Sequence, residues 1–396
     1  MTKYDVLVIG GGASGLVAAV MAARQGASVA VAEKLPRVGK KILATGNGRC
    51  NITNKNISPS RYFGDKSFAK SAFAKFGLDD TVKFFDSIGI MLTELDDGKM
   101  YPRSLQATTV LDQLREELKR LGVEVICDFD AVLIKKKDNK FYIKSRIGDE
   151  LYASRVIVSC GGKAAPEFGT DGGAYELLKS LGHTVVKPFP ALVQLKTQYV
   201  PKDLKGIKQN CTAQLLIDGK QKRRETGEVL FTAYGISGPP IFNLSRMASE
   251  SLEQKRDTCV SLDFAPDIGY LKLKEIIDSR FKKLSHLSKE NFLNGLLNKR
   301  IGLEILRHAE TSEQIASLIK NYKLTVTGTL GFKNAQVTAG GISALELKEN
   351  TMESKKVSGL YITGEIINID GDCGGFNLQW AWTSGALAGI AAGGGN

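Results

Sequence analysis

The chain has 396 residues, 43% of them hydrophobic and 24% charged, with a formal net charge of +12. That length exceeds one ordinary core and predicts two or three domains, and the composition excludes a mainly disordered chain. The positive balance leaves two readings open, solvated lysines or a polyanionic partner, with clusters at KKKDNKFYIKSR (135–146), KGIKQN (205–210) and GKQKRR (219–224).

The first predicted elements are strand, glycine turn, helix and second strand, in DVLVIGGGASGLVAAVMAARQGASVAVAEK. This run is apolar enough to resemble a signal peptide or a membrane span. Asp5 before it, adjacent glycines inside it and the strand-like VAVAE after it argue against targeting. No other stretch is long and apolar enough to span a bilayer, so a cytoplasmic protein with no membrane partner is expected. Gly10, Gly12 and Gly15 form GxGxxG, and Glu33 ends the second strand. The first glycine permits a tight turn, the second lets backbone approach a pyrophosphate, and the third lets helix and strand pack closely. The helix start offers free N–H groups to phosphates, and the Glu33 carboxylate can accept from ribose hydroxyls. The motif predicts dinucleotide binding without separating FAD from NAD.

Next comes GKKILATGNGRCNITN (39–54), too polar and irregular for a core element. Helical segments follow at SFAKSAFAKF and LDDTVKFFDSIG, and then ATTVLDQLREELKRLGVEVI, where Val110, Leu111, Leu114, Leu118 and Leu121 keep helical spacing before a strand. Hairpin strands and a buried strand ending at Gly161 and Gly162 complete the first domain near residue 188. Short strands and turns run from there to about 265, interrupted by GEVLFTAYGISGPPIFNLSR. A helical block from DIGYLKLKEIIDSRFKKL to EQIASLIKN and a strand, KLTVTGTL, lead into the final strands, glycine turns and last helix. The middle therefore reads as an insertion into a split dinucleotide-binding domain.

Six cysteines (Cys50, Cys127, Cys160, Cys211, Cys259, Cys373) lie far apart, with no CxxC pair and no histidines at ligand spacing, which predicts reduced thiols and no metal site. His183, His286 and His308 occupy ordinary helix or turn contexts and are assigned no chemistry. Near the end, GLYITGE reaches Gly364 and Glu365, and a Gly374–Gly375 turn opens a helix at Phe376 and Asn377. Glu365 would meet ribitol or a phosphate and the helix start would face the pyrimidine edge of a flavin, stabilising its anionic reduced form. An ordinary strand–turn–helix closing an α/β sheet fits the same residues.

Together, GGGASG, GKKILATGNGRCNITN, GISGPP, VTAGGIS, TMESKKVSGLYITGE and DGDCGGFNLQWAWTSG closely resemble the bacterial BaiN/RdsA family of NAD(P)/FAD-dependent oxidoreductases, some labelled aminoacetone oxidases. The resemblance implies an α/β fold whose Rossmann-type FAD-binding domain (1–188 and 337–396) is split by a β-barrel-like domain (189–265 and 322–336) and a small helical domain (266–321). It implies FAD held by Gly10, Gly12, Ala13, Ser14 and Gly15, with Glu33 and Lys34 beside them. The loop would add Lys41, Thr45, Gly46, Asn47, Gly48, Arg49, Cys50, Asn51 and Asn54. Gly161 and Gly162, Gly364 and Glu365, and Gly374, Gly375, Phe376 and Asn377 would complete the cofactor site.

Cys50 is a candidate proton donor beside the flavin, with Arg49 and Asn51 next to it, against a packing or cofactor-contact role. Tyr234 and Ser237 are candidate substrate contacts, against a turn supporting the barrel. Relatives carry a more polar residue at Ala233, so no side-chain chemistry transfers there.

No second GxGxxG follows a strand, so NAD(P)H is expected as a transient reductant without a domain of its own. The implied chemistry is hydride delivery to a conjugated C=C–C=O acceptor. That acceptor is uridine in 23S ribosomal RNA, which the basic balance favours, or a small steroid or bile-acid enone. Amine oxidation yielding peroxide and a non-catalytic flavin-bearing RNA-binding or redox-sensing protein are the other classes. No oligomeric state is assigned.

Overall fold

A mixed seven-stranded sheet organises the first part of the computed structural model, which describes residues 4–394. Strand Tyr4–Ile9 lies at its centre, paired in parallel with Val29–Ala32 on one side and Glu150–Val158 on the other. Val6 faces Val29, and Leu7 faces Val156, in that register. Both flanks are covered, so the strands read as continuous apolar runs, with Val6, Leu7 and Val8 wholly buried. Glu124–Ile126 extends the sheet beyond Val29–Ala32, and Leu360–Ile362 adds a parallel strand beside Glu150–Val158. The remaining strands, Ala131–Lys137 and Lys140–Ser145, pair antiparallel and carry the sheet to its outer edge.

Two helices pack backbone to backbone on this sheet. The first, Ala13–Arg24, is nearly all small or aliphatic residues. The last, Phe376–Gly393, presents Gly385, Gly389 and Gly393 to it, where an added Cβ would stand 2.3, 2.3 and 2.5 Å from the carbonyl oxygens of Ser14, Ala18 and Ala22. Only hydrogen fits there, so glycine spacing on one helix sets its distance from the other.

The chain divides into two compact units, Met1–Phe189 with Val337–Asn396, and Pro190–Gln336. The second is a closed barrel of six strands in the order Leu195–Thr197, Gly235–Ser237, Lys220–Phe231, Lys208–Ile217, Thr258–Asp263 and Tyr322–Thr329. Residues 266–321, expected as a separate helical domain, share a buried cluster with the barrel. Leu273, Ile277, Ile301, Ile305, Ile315 and Ile319 bury into the same cluster as barrel residues Leu195, Leu215 and Val260. The stretch GEVLFTAYGISGPPIFNLSR, expected only to interrupt the strands, leads into a helix over Pro239–Glu253 that also packs there through Ile241, Leu244 and Ala248. Its paired prolines fall in the first turn, where the missing N–H costs no helical bond.

The stretch 39–54 differs from expectation in its second half. After a short helix, Lys40–Ala44, the chain turns through Gly46, Asn47 and Gly48, all at positive φ, and then buries Cys50 to Asn54. Burial of Ile52, Thr53 and Asn54 is tolerated because their polar groups find partners. The Ile52 N–H donates to Met100 O at 2.8 Å, the Thr53 hydroxyl to Gln379 Oε1 at 2.5 Å and the Asn54 amide to Gly374 O at 2.9 Å.

Candidate functional site

The turn before the first helix shows three distinct glycine roles. Gly10 has φ 101°, and a Cβ on it would stand 2.6 Å from Ser159 O. A Cβ on Gly15 would stand 1.9 Å from Gly10 O, so helix and turn touch. Gly12 has nothing within 4 Å of its Cβ position and faces open space. The helix start above it, through Ala13 and Ser14, carries no side-chain cap and no acidic residue in its first turn. Its unpaired N–H groups and positive end therefore stay available to an anion. The Ser14 hydroxyl is drawn to the side, 2.6 Å from the Thr363 hydroxyl, which also lies 2.7 Å from Ser159 Oγ.

Glu33 is anchored by backbone. Its carboxylate accepts from Gly11 N at 2.7 Å and Leu35 N at 2.9 Å, one bond per oxygen, and burial raises its pKa. Each oxygen keeps a lone pair for a further donor such as a ribose hydroxyl. Lys34 turns away to Asp171 at 2.5 Å, with Asp130 at 3.9 Å.

The loop, two strand ends and the last helix converge in the same unit. Lys41 Nζ pairs with Glu365 Oε2 at 2.9 Å and donates to Ala164 O at 3.3 Å, while Glu365 Oε1 accepts from Thr338 N at 2.9 Å. A Cβ on Gly162 would collide with Thr338 Oγ1 at 2.3 Å and crowd Glu365 Oε1 at 2.9 Å, whereas Gly161 sits at φ 70° in the turn before it. Gly364, at φ 79°, packs against Ser14, its N–H donating to Ser384 Oγ and its carbonyl accepting from Trp380 Nε1. Thr338 and Ser384 have no local sequence signal, since each acts through a residue distant in the chain.

Gly374 and Gly375, at φ 124° and 100°, open the last helix without a side-chain cap. Asn377 ties the turn together, accepting from Gly371 N at 2.9 Å and donating to Gly371 O at 2.8 Å. Phe376 is buried, its ring edge-on to Tyr62, and the Tyr62 hydroxyl donates to Phe376 O at 2.9 Å.

Asn51 carries one of several buried side-chain polar atoms without a hydrogen-bond partner among the described residues, and it lies beside the start of the last helix. It is 8% exposed, its Oδ1 has no hydrogen-bond partner among the described residues, and that oxygen lies 3.0 Å from the Cβ position of Gly375. A buried acceptor without a donor costs about 1–3 kcal/mol, so this oxygen beside an uncapped helix start is a candidate acceptor for a ligand N–H.

The neighbours of Asn51 behave differently. Thr45 donates to Ile42 O at 2.6 Å, and Gly48 faces open space. Arg49 is exposed, its guanidinium 5.2 Å above the Tyr101 ring and its Nε 3.3 Å from Gly46 O. Cys50 sits at φ 56° with its thiol wholly buried in the hydrophobic core, and burial pushes its pKa up to about 12. The thiol therefore has no open face toward a ligand, and its environment is that of a packed core residue. Tyr234 and Ser237 belong to the barrel unit, Tyr234 half-buried in a turn and Ser237 buried in strand Gly235–Ser237.

The sequence matches the family model described as HI0933-like protein Rossmann domain over residues 4–391. It is 39% identical, over 97% of its length, to the 3-dehydro-bile acid delta(4,6)-reductase of Clostridium scindens, of which 98% is covered. It is 27% identical, over 97% of its length, to the ribosomal RNA dihydrouridine synthase of Haemophilus influenzae, of which 97% is covered. Among solved structures, the 3-ketosteroid delta1-dehydrogenase of Sterolibacterium denitrificans superposes with a TM-score of 0.52 at 13% identity, over 98% of this chain and 99% of that one, a likeness of fold. Among the described residues no helix is long and apolar enough to cross a membrane.

Proposed function

The chain belongs to the HI0933-like family, Rossmann-domain FAD-dependent oxidoreductases, and from that premise we propose that it reduces a C=C bond conjugated to a carbonyl, drawing electrons from NAD(P)H, with a uracil ring of 23S ribosomal RNA as acceptor. The carrying observation is the unpartnered Asn51 Oδ1 at the uncapped start of the last helix. A flavin's pyrimidine edge presents an N–H beside electron-rich atoms, which matches an acceptor lying next to free helix N–H groups. Bound FAD supplies a two-electron carrier able to take a hydride from a nicotinamide and yield it to an electrophilic carbon.

The chain's own residues divide the work of holding that group. The open backbone at Gly12, Ala13 and Ser14 binds the pyrophosphate, and Glu33 accepts from the adenosine ribose. Gly161 and Gly162 let the strand end pack closely against Thr170 and Thr338, and the Lys41–Glu365 pair would offer charged groups to the cofactor. Asn51 and the turn Gly374–Gly375 fix the ring edge, where the helix end favours negative charge. The Cys50 thiol is buried in the hydrophobic core and is not proposed as the proton donor. Tyr234 and Ser237, in the inserted residues, are proposed substrate contacts.

Two relatives with unlike substrates, a bile acid and a ribosomal RNA base, are both named for saturating a double bond, which supports one shared plan of hydride addition. The net charge of +12 supports the RNA acceptor, since phosphate contacts dominate nucleic-acid affinity. That partner would place the protein in the cytoplasm. The 39% identity to the bile-acid enzyme favours a small enone as the second reading.

Two measurements test this. Ribosomal RNA from a strain lacking the protein should lose a dihydrouridine, and RNA with every dihydrouridine retained overturns the RNA reading. Anaerobic NADH or NADPH should bleach the flavin spectrum of the purified protein, and a spectrum that stays yellow with both overturns the reductase.

A further inference from the structure

The sheet's outer strands, Ala131–Lys137, Lys140–Ser145 and the start of Glu150–Val158, have one buried face and one open face. Their register aligns Lys135 with Tyr142 and Tyr142 with Tyr152, Leu133 with Lys144 and Lys144 with Glu150, and Lys137 with Lys140. Ile134, Phe141, Ile143 and Ala153 are buried on the far side. Lys136 also belongs to that side, its Nζ lying 5.5 Å over the Phe141 ring and donating to Ser358 O. The open face therefore carries two tyrosines amid four lysines.

The tyrosines are fixed rather than loose. Their ring centroids are 5.4 Å apart at 51°, and both hydroxyls donate to Glu150, Tyr142 at 2.6 Å and Tyr152 at 2.9 Å. Tyr152 is nevertheless 41% exposed. Glu150, the carboxylate of these rows, is thus committed to holding the rings. Lys135, Lys137 and Lys140 are exposed and form no ion pair among the described residues. At the sheet's outer edge, a hollow of about 450 Å³ is lined by Leu133, Ile134, Lys135, Lys136, Lys137, Ser180 and Leu181, residues of both faces, and so is not part of the open face.

Oriented aromatic faces set among lysines, three of them exposed and unpaired among the described residues, complement a strand that offers both unstacked bases and phosphates. A duplex hides its base faces, and an acidic protein or a lipid headgroup has no use for the rings. We propose that this face binds a single-stranded RNA segment, bases stacking on Tyr142 and Tyr152 and phosphates meeting Lys135, Lys137, Lys140 and Lys144. The identity of the partner rests on the ribosomal RNA reading above. The surface itself is separate from the cofactor cradle, so the two can fail independently.

The test is fluorescence anisotropy of a labelled single-stranded RNA of about twelve nucleotides, within the span such surfaces bind, against the flavin-loaded protein, with polyphosphate as a base-free polyanion. Tyr142→Ala with Tyr152→Ala should weaken RNA binding about tenfold or more, as loss of base stacking implies, and leave polyphosphate binding unchanged. Lys135→Glu with Lys144→Glu should weaken both polyanions and lower the salt slope for RNA by about 1.4, roughly 0.7 for each lost phosphate contact. Tyr142→Phe with Tyr152→Phe keeps the stacking faces and should retain affinity, which separates stacking from damage to the sheet.

Alanine variants that bind RNA as the parent does overturn the surface and leave the ribosomal RNA reading standing. Alanine variants that lose RNA and polyphosphate equally also overturn it, in favour of charge alone. A parent protein without affinity for this RNA overturns the surface and leaves the ribosomal RNA reading to the deletion strain. Binding through this face, with dihydrouridine intact in the deletion strain, upholds the surface and removes the reading.

Discussion

The two glycine turns that open the first and last helices face the same proposed cofactor, yet they are built on opposite principles. Before the first helix the site is open backbone, with space above Gly12 and a helix start free of side-chain caps. Before the last helix the site includes a side chain, Asn51, whose buried oxygen is left without a donor. The first turn is complete without a ligand and merely accepts one. The second carries an unsatisfied acceptor that a ligand would relieve, so apo stability and cofactor affinity should respond in opposite directions there.

The largest effect should come from separating the glycines within the first turn. Gly15→Ala forces a methyl to 1.9 Å from the Gly10 carbonyl oxygen, and neither backbone can yield. Its cost should reach or exceed the top of the ~1–3 kcal/mol range for overpacking, seen as a lower Tm in protein stripped of flavin. Gly12→Ala meets nothing within 4 Å. It should keep the apo Tm and lose flavin content, because the methyl occupies the space the pyrophosphate needs. Equal Tm losses for both would remove the distinction between packing and approach.

An intermediate effect belongs to the interface joining the two helices. Gly389→Ala puts a methyl 2.3 Å from Ala18 O and should cost ~1–3 kcal/mol by urea unfolding, with flavin lost only as the fold is lost. Asn51→Leu should do the reverse, leaving apo stability equal or raised while flavin affinity falls about tenfold, the equivalent of ~1.4 kcal/mol. An Asn51→Leu protein that is destabilised without flavin and binds it normally would show that the orphan oxygen is not a ligand position.

That opposition also explains what the sequence could reveal. Gly10, Gly12, Gly15 and Glu33 are local, packed into one βαβ unit, so their spacing carries their roles and the Rossmann-type fold is legible. Gly374–Gly375 before an apolar helix is legible as a turn. The importance of Asn51 as an orphan is not, because it depends on the last helix arriving beside it from far along the chain. Thr338 holds the backbone of Lys163 and Ala164 at 2.8 and 3.0 Å, a contact with no local pattern. The burial of Cys50 was hidden for the same reason. Polarity marked 39–54 as loop, and only the partners Met100, Gly374 and Gln379 make its second half core.

The smallest predicted effect lies apart from both turns and serves as their control. His183 has a wholly buried side chain, with Nδ1 3.0 Å from Glu346 Oε2 and Nε2 2.8 Å from Ser354 Oγ. Ser354 Oγ already accepts from Lys356 N at 3.0 Å and Val357 N at 2.9 Å, so its hydrogen goes to the imidazole, which is neutral and donates to Glu346. Burial lowers the His183 pKa from 6.5, outweighing Glu346, with Lys356 also facing the pair at 2.6 Å from Glu346 Oε1. The unfolded chain therefore takes up a proton more readily than the folded one, so this stabilisation is complete above pH 6.5 and declines as pH falls below it. Glu346, held at about 2 by its donors against the opposing effect of burial, adds a second loss as pH drops below 4.5. His183→Gln should flatten the Tm profile between pH 7 and 5 relative to the parent, with flavin content unchanged at pH 7. A profile as steep as the parent's would assign the acid sensitivity elsewhere, and a loss of flavin at pH 7 would tie this network to the cofactor site after all.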